Sequence, residues 1–324
     1  MKVFLSSSDY LRNFDRFVGG LDFSEPNRLE IATHPKWINV HPAVLALTAS
    51  LALKVGKENV ILPNLTAASG SYLDSMGLFK FTNQKSPYDI NKKDPSGRFV
   101  PLSIIKTPEE QSQFVTEIVP MLHLKPENAD AIKYVIGELV RNVLEHSMSK
   151  DGAVVAAQYY KKSNTIRIGI CDSGIGIRKS LEYFWPVHAQ NDIDAIKWAL
   201  LPGISGTTTN AGGTGDNAGA GLFFIKSIAK VARNYFMVYS GHGIYRLLLR
   251  DKRFANPRLT LNPEEEHHAE RSDAPYLQGT LVAIDLTLDN DISAFSELLA
   301  RIRDSYGGAI RQRKKQHYRR FKFI

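Results

Sequence analysis

Cysteine is nearly missing from this chain of 324 residues. Cys171 stands alone, so no intramolecular disulfide can form and a disulfide-stapled fold is excluded. Long hydrophobic runs are missing too: the longest, Ala43 to Val55, is interrupted by Thr48, Ser50 and Lys54 and falls short of the roughly 20 residues that span a bilayer. The first twenty residues carry Lys2, Asp9, Arg12, Asp15 and Arg16 where a secretion signal would need an apolar core. These absences predict a soluble protein of the reducing cytoplasm with no membrane partner. No segment repeats at a fixed period. With 43% hydrophobic and 23% charged residues, disorder, collagen and coiled coil are excluded as descriptions of the whole chain. No Walker A pattern, G-x-x-x-x-G-K-[ST], occurs. Gly213, Gly215 and Ala218 fit the loose G-x-G-x-x-[GA] pattern, but no strand directly precedes them, which excludes phosphate binding of P-loop or Rossmann type.

A surplus of charge is also missing from the first 300 residues. The whole chain has 41 Lys and Arg against 33 Asp and Glu, a net +8, and residues 301–324 hold nine of the basic ones (Arg301, Arg303, Arg311, Arg313, Lys314, Lys315, Arg319, Arg320, Lys322) against Asp304 alone. The net charge is therefore that of a tail. With Tyr318, Phe321 and Phe323 interleaved, the tail could lie on nucleic-acid phosphates or an acidic partner, or be a solvated or partner-packed end.

What is present reads as two units. From Arg28 to Phe81 a strand (Leu29 to Ala32), an apolar helix (Pro42 to Val55), a short strand (Asn59 to Leu62) and a second helix (Thr66 to Phe79) predict a small sheet with helices on it. The polar, turn-rich run from Phe81 to Gly97 predicts a boundary. Beyond it, Thr107 with Glu110 has capping-box spacing and opens a helix to about Leu122, and a second helix runs from Pro126 to about Ser147. Strands are predicted at Ala153 to Tyr160, Thr165 to Cys171, Tyr235 to Tyr239, Ile244 to Leu249 and Thr280 to Leu286. Helices are predicted at Leu222 to about Arg233 and Ile292 to Tyr306.

Three stretches could carry chemistry. On the helix from Pro126, Glu138, Asn142 and His146 are spaced four and four and share one stripe, polar where a buried helix should be apolar, with Glu145 beside it. An Asn oxygen can ligate Mg²⁺ while a Glu one turn away accepts a water proton, although such spacing also occurs on ordinary solvated faces. After the strand ending at Cys171 stands Asp172-Ser173-Gly174-Ile175-Gly176, either a plain strand-exit turn or a carboxylate placed to accept from an amino group, with glycines allowing close approach. Between Gly203 and Gly221 lie seven glycines in nineteen residues, a lid over a polyphosphate or a linker. Gly219-Ala220-Gly221-Leu222 leads into a helix whose N-terminus can receive phosphate. Cys171 is expected to be a small core residue, His267 and His268 solvated loop residues, and Trp185 and Trp198 packing residues near the lid.

Taken in order, Glu138-Leu139-Val140-Arg141-Asn142 with His146, Asp172-Ser173-Gly174-Ile175-Gly176, Gly213 and Gly215 through Gly219-Ala220-Gly221-Leu222, and Gly279-Thr280 resemble the N, G1, G2 and G3 boxes of the GHKL superfamily, the Bergerat-fold ATPases, over about Phe99 to Leu288. The resemblance implies an α/β sandwich whose mixed sheet carries helices on one face, with ATP between helices and lid. It also implies roles: Glu138 the general base, Asn142 the Mg²⁺ ligand, Asp172 the acceptor from the adenine amino group, and Gly174 and Gly176 the base-pocket lining. Gly213, Gly215, Gly219, Gly221 and Leu222 would belong to the phosphate loop, and Thr280 would hold Asp172. His146 places the chain nearest the anti-sigma serine-kinase branch. A Glu at position 138, which sensor histidine kinases normally lack, favours hydrolysis or serine phosphorylation. In the N-terminal unit, Asp74-Ser75-Met76-Gly77-Leu78 resembles the D-S-S-G-L signature of the STAS fold, but Met76 takes the slot of the phosphorylated Ser.

The resulting expectation is an α/β protein of three parts: an accessory, STAS-like unit over 1–98, a GHKL ATP-binding unit over 99–290, and a helix with a basic tail over 291–324. Its expected function is Mg·ATP-dependent regulation with slow hydrolysis, lid closure being transmitted to the N-terminal unit or to a protein partner. Two alternatives stand beside it: a protein-serine kinase acting on a STAS-like partner, and a nucleotide-gated module whose tail binds nucleic acid or protein. A homodimer is left open.

Overall fold

A computed structural model describes residues 1–63, 65–88, 98–118, 126–206, 221–249, 260–288, 300–308 and 310–311. Along the N-terminal unit run β1 (Lys2–Leu5), α1 (Phe14–Gly19), β2 (Leu29–Thr33), α2 (Pro42–Val55), β3 (Val60–Ile61), α3 (Ser71–Ser75) and α4 (Leu78–Thr82). After it come β4 (Phe99–Ile105), α5 (Pro108–Ile118), α6 (Pro126–His146), β5 (Ala153–Tyr160), β6 (Thr165–Asp172), α7 (Gly176–Glu182), α8 (Asp192–Ala199), α9 (Gly221–Val231), β7 (Phe236–Gly241), β8 (Gly243–Leu247), β9 (His268–Arg271) and β10 (Leu277–Thr287). Residues 300–308 are helical.

Two sheets result, a three-stranded one in the order β1-β2-β3 and a seven-stranded one in the order β4-β5-β6-β10-β7-β8-β9. The small sheet is parallel, whereas every ladder of the large one is antiparallel. This corrects the mixed sheet expected above. Short connections such as the turn between β7 and β8 join antiparallel neighbours and need no helical crossover.

Helices on one face is the second correction, because both faces of the large sheet are covered. Strand residues alternate between them with period two. On β6, Ile166, Ile168 and Ile170 share a core with Ile132, Val135, Ile136 and Leu139 of α6 and with Phe223, Phe224 and Ile228 of α9. Cys171 points the other way, into a second core with Val44, Leu45 and Leu47 of α2, together with Val154, Ala156, Leu281 and Ala283. The sequence of α2 is apolar all round, as suits a helix buried all round, and residues 42–52 are buried. Pro42 occupies its first turn, and the His41 ring accepts the Ala43 N–H at 3.0 Å as an N-cap. Gly169 on β6 lets α2 lie directly on the strands: a Cβ there would fall 2.2 Å from the Ala43 Cα. Because His41 Nδ1 accepts that N–H, Nε2 carries the proton and donates to Asp285 Oδ1 at 2.9 Å, tying α2 to β10.

Local departures from expectation have local causes. The helix expected over Thr66 to Phe79 is broken at Gly77, whose φ of 82° ends one turn and starts α4. Only Val60 and Ile61 pair as β3, after a 3₁₀ turn over Lys57–Asn59. Strand β8 stops at Leu247, two residues short of the expected end. Thr107 does accept the Glu110 N–H at 3.2 Å, but the Glu110 carboxylate reaches back to the Lys106 N–H at 2.6 Å, one residue further than a capping box requires. Residues 89–97 of the expected boundary, 292–299 of the last helix and 312–324 of the tail lie outside the described residues.

Candidate functional site

The core beneath α6 and α9 is not continuous. Between α6, the ends of β6 and β10, α7 and the N-terminus of α9 opens a cleft of about 900 Å³, its mouth included. Its apolar walls come from Leu139, Val143, Ile170, Ile177, Leu181, Ala199, Ile204, Leu222 and Val282; its polar groups are Arg141, Asn142, His146, Ser147, Asp172, Ser180, Ser205 and Thr280.

Helical spacing explains the first group. Asn142 and His146 line the cleft from successive turns of α6, and Glu138 stands one turn before them at the N-terminus of α9. A Cβ on Gly221 would fall 3.0 Å from Glu138 Oε2 and 3.1 Å from Asn142 Nδ2, a tight fit that a larger residue could meet only by displacing those side chains. Glu138 Oε2 accepts from Arg141 at 2.5 Å. Burial pushes its carboxyl above the usual range, Arg141 pulling the other way and Glu145 reinforcing the rise. Burial likewise lowers the His146 imidazole, against the pull of Glu145 3.8 Å away. Asn142 Nδ2 is buried with no hydrogen-bond partner among the described residues.

Strand pairing explains the second group. Thr280 on β10 is registered opposite Asp172 on β6, which brings together residues 108 positions apart. Asp172 is buried, and its carboxylate accepts the Gly174 N–H at 2.8 Å and a backbone hydrogen bond from Thr280. Burial nevertheless dominates and pushes it up to about 7. Gly174 does not line the cleft: it is wedged against Ser147, where a Cβ would fall 2.0 Å from the carbonyl oxygen that also accepts the Ile175 N–H at 2.8 Å. Gly176, with φ of 78°, opens α7 and does line the cleft.

Gly221 and Leu222 stand at the N-terminus of α9, facing Glu138 and Asn142. This helix end lines the cleft, and a helix N-terminus is a favourable place for anions. Gly213, Gly215 and Gly219 fall outside the described residues, as does most of the expected lid, 207–220. Its near edge, Ser205 and Gly206, closes the cleft wall and is held by Trp185, whose Nε1–H donates to the Ser205 carbonyl at 2.8 Å. Trp185 and Trp198 pack as expected, 5.6 Å apart in a small core with Leu181 and Ile204. His268 is no loop residue: it begins β9, stacks on Tyr245 and sits 3.6 Å from Glu270.

Several participants escaped sequence reasoning. Ser240 on β7 is buried behind the cleft; its Oγ donates to the Gly279 carbonyl at 2.8 Å and accepts the Ile177 N–H at 3.0 Å, so it fastens the start of α7 to the strand beside Thr280. A lone serine in a strand carries no sequence signal for that. Arg141 did carry one, since i and i+3 place it against Glu138.

Chemically, the arrangement offers a buried carboxylate beside apolar walls at one end, and a carboxylate, an amide and a helix N-terminus at the other. Among the described residues no three His, Cys, Asp or Glu converge as a metal site. None of their helices is long and apolar enough to cross a membrane. No protein-family model matches the chain, and no curated protein matches it.

Proposed function

We propose that the chain is a Mg·ATP-binding regulator of GHKL type, its large sheet with α6 and α9 forming a Bergerat-type sandwich and its N-terminal unit a STAS-like one. One observation carries the reading: Asn142, Asp172, Gly221 and Thr280, drawn from four separate stretches of sequence, line one cleft, and Glu138 stands at its edge against Gly221. The adenine amino group would donate to the Asp172 carboxylate between apolar walls, and the phosphates would extend to the N-terminus of α9.

The residues present suit a magnesium ion brought in with the phosphates. The Asn142 amide, whose nitrogen has no partner among the described residues, can turn its oxygen toward the cleft, and Mg²⁺ commonly takes one or two protein oxygens beside phosphate and water. Bound there, the metal would neutralise phosphate charge. Glu138 supplies the acceptor: the oxygen of a water attacks the terminal phosphorus, Glu138 takes a water proton, and the bond to the bridging oxygen breaks to leave ADP and inorganic phosphate. A single carboxylate base and a loop that must order first are consistent with slow turnover. The route to the N-terminal unit is short, since α2 lies on β6, the strand that ends in Asp172.

Calorimetry on the full chain with ATP, ADP and a non-hydrolysable analogue, with and without Mg²⁺, tests the proposal. Metal-dependent ATP binding is expected; no heat with any nucleotide ends it.

A further inference from the structure

Arg141 lines the cleft and holds Glu138 through one arm of its guanidinium, Nη2 to Oε2, at 2.5 Å. Its Nε stands 3.9 Å from Glu145 Oε1, buried and with no hydrogen bond among the described residues. The fork is therefore only half used. The Glu138 oxygen that it grips is the one next to Gly221, at the N-terminus of α9. A phosphate arriving at that helix end meets a guanidinium hydrogen-bonded to Glu138 and only loosely paired with Glu145.

We propose that Arg141 reads the terminal phosphate of the nucleotide and, by moving to it, frees Glu138 to act as base. The inference rests on the nucleotide reading above. A guanidinium pairs bidentately with a phosphate, whose terminal group carries more charge and more acceptor oxygens than one carboxylate. Arg141 is a long side chain already at the cleft surface, so the exchange needs rotation of its own torsions and no backbone movement. Glu138, left in its buried corner without its cation, becomes the stronger proton acceptor, and the attack of water described above can proceed. ADP lacks the terminal phosphate and leaves the Arg141–Glu138 pair intact. The pair is thus a latch that only the triphosphate opens, which makes the site selective for ATP and keeps the base engaged between turnovers.

The test uses the full chain with Mg²⁺. The unsubstituted protein should bind ATP about tenfold or more tighter than ADP, and Arg141→Gln should bring the two within about twofold while ADP affinity stays unchanged. Arg141→Lys, which keeps the charge but not the fork, should retain about a third of the preference. The pH profiles give a second readout. In Arg141→Gln the Glu138 limb should move to higher pH in kcat/KM, which reports the free enzyme, and stay in place in kcat, where Arg141 has already left the carboxylate. An unaltered ATP-to-ADP ratio in Arg141→Gln, equal affinities in the unsubstituted chain, or equal shifts of both profiles would overturn the latch. If Arg141→Gln does not fold, the ratio in Arg141→Lys decides: a full preference overturns the inference. Failure of the unsubstituted chain to bind any nucleotide instead ends the reading on which the latch rests, and is seen before any substitution is made.

Discussion

The two faces of the large sheet are built from the same strands and finished in opposite ways. On one, α2 lies against glycine and small residues, Gly169, Ala156 and Ala283 among them, with its first turn capped by His41. On the other, α6 and α9 share a core of large side chains and come close at Gly221, and beside that contact they border a cleft lined with polar groups. Close packing is what a core gains from, so the open face gives up dispersion and burial where the cleft stands. Polar side chains along a buried stripe mark that sacrifice, and a ligand would supply the missing partner surface.

Equal truncations on the two faces should give unequal losses. Leu45→Ala, in the sealed core, is expected to cost about 3 kcal/mol by denaturant melting, within the usual range for a buried leucine. Ile177→Ala, on the cleft wall, should cost about 1 kcal/mol and instead weaken nucleotide binding. Matching losses would show that the faces do not differ. Gly169→Val drives a Cβ into the Ala43 backbone, so a destabilisation near 3 kcal/mol, roughly 10 °C in melting midpoint, is expected. An unmoved midpoint would mean that α2 does not rest on β6.

Charge separates the faces next. Asp172 is raised by burial to about 7, well above its unfolded value, so without ligand it stays protonated in the folded chain while the unfolded chain ionises. Its contribution is greatest at low pH and is lost as pH rises from about 4 to about 7. Asp172→Asn should then stabilise the ligand-free protein at pH 8 by about 2 kcal/mol, the linkage gain of about 4 less roughly 2 for one lost acceptor. At pH 5 the gain should vanish. Nucleotide affinity should run the other way, falling as pH drops below about 7, because an amino donor needs the ionised carboxylate. The smallest effect on stability, under about 1 kcal/mol, belongs to Glu138→Ala, which should bind ATP yet lose turnover; unchanged hydrolysis would remove Glu138 as base.

Elements with one clean period were legible in the sequence. The run Pro42 to Val55 became α2 without a shift at either end, and β5 matched to the residue. Strand β4 escaped because Pro101 and a register shift between Val100 and Ser103 interrupt its alternation, and β1 because four residues are too few to show one. Helices α7 and α8, seven and eight residues long, are too short to show a helical period in the sequence. Glu138, Asn142 and His146 were legible as a stripe, whereas the nearness of Thr280 to Asp172 was expected only through family likeness, since register between distant strands is set by the whole sheet. The Trp185 grip on Ser205 arises from packing of short helices that no periodicity announces.

The seat of α2 has a practical consequence for anyone handling this protein. A fragment beginning near Phe99 would carry every cleft residue named here, yet would bare Val154, Ala156, Cys171, Met237, Tyr239, Leu281 and Ala283 to water along one broad plane. So large an oily surface invites self-association, and such a cassette should clump during purification. The part that holds the cleft is borrowed intact only when the first hundred residues travel with it.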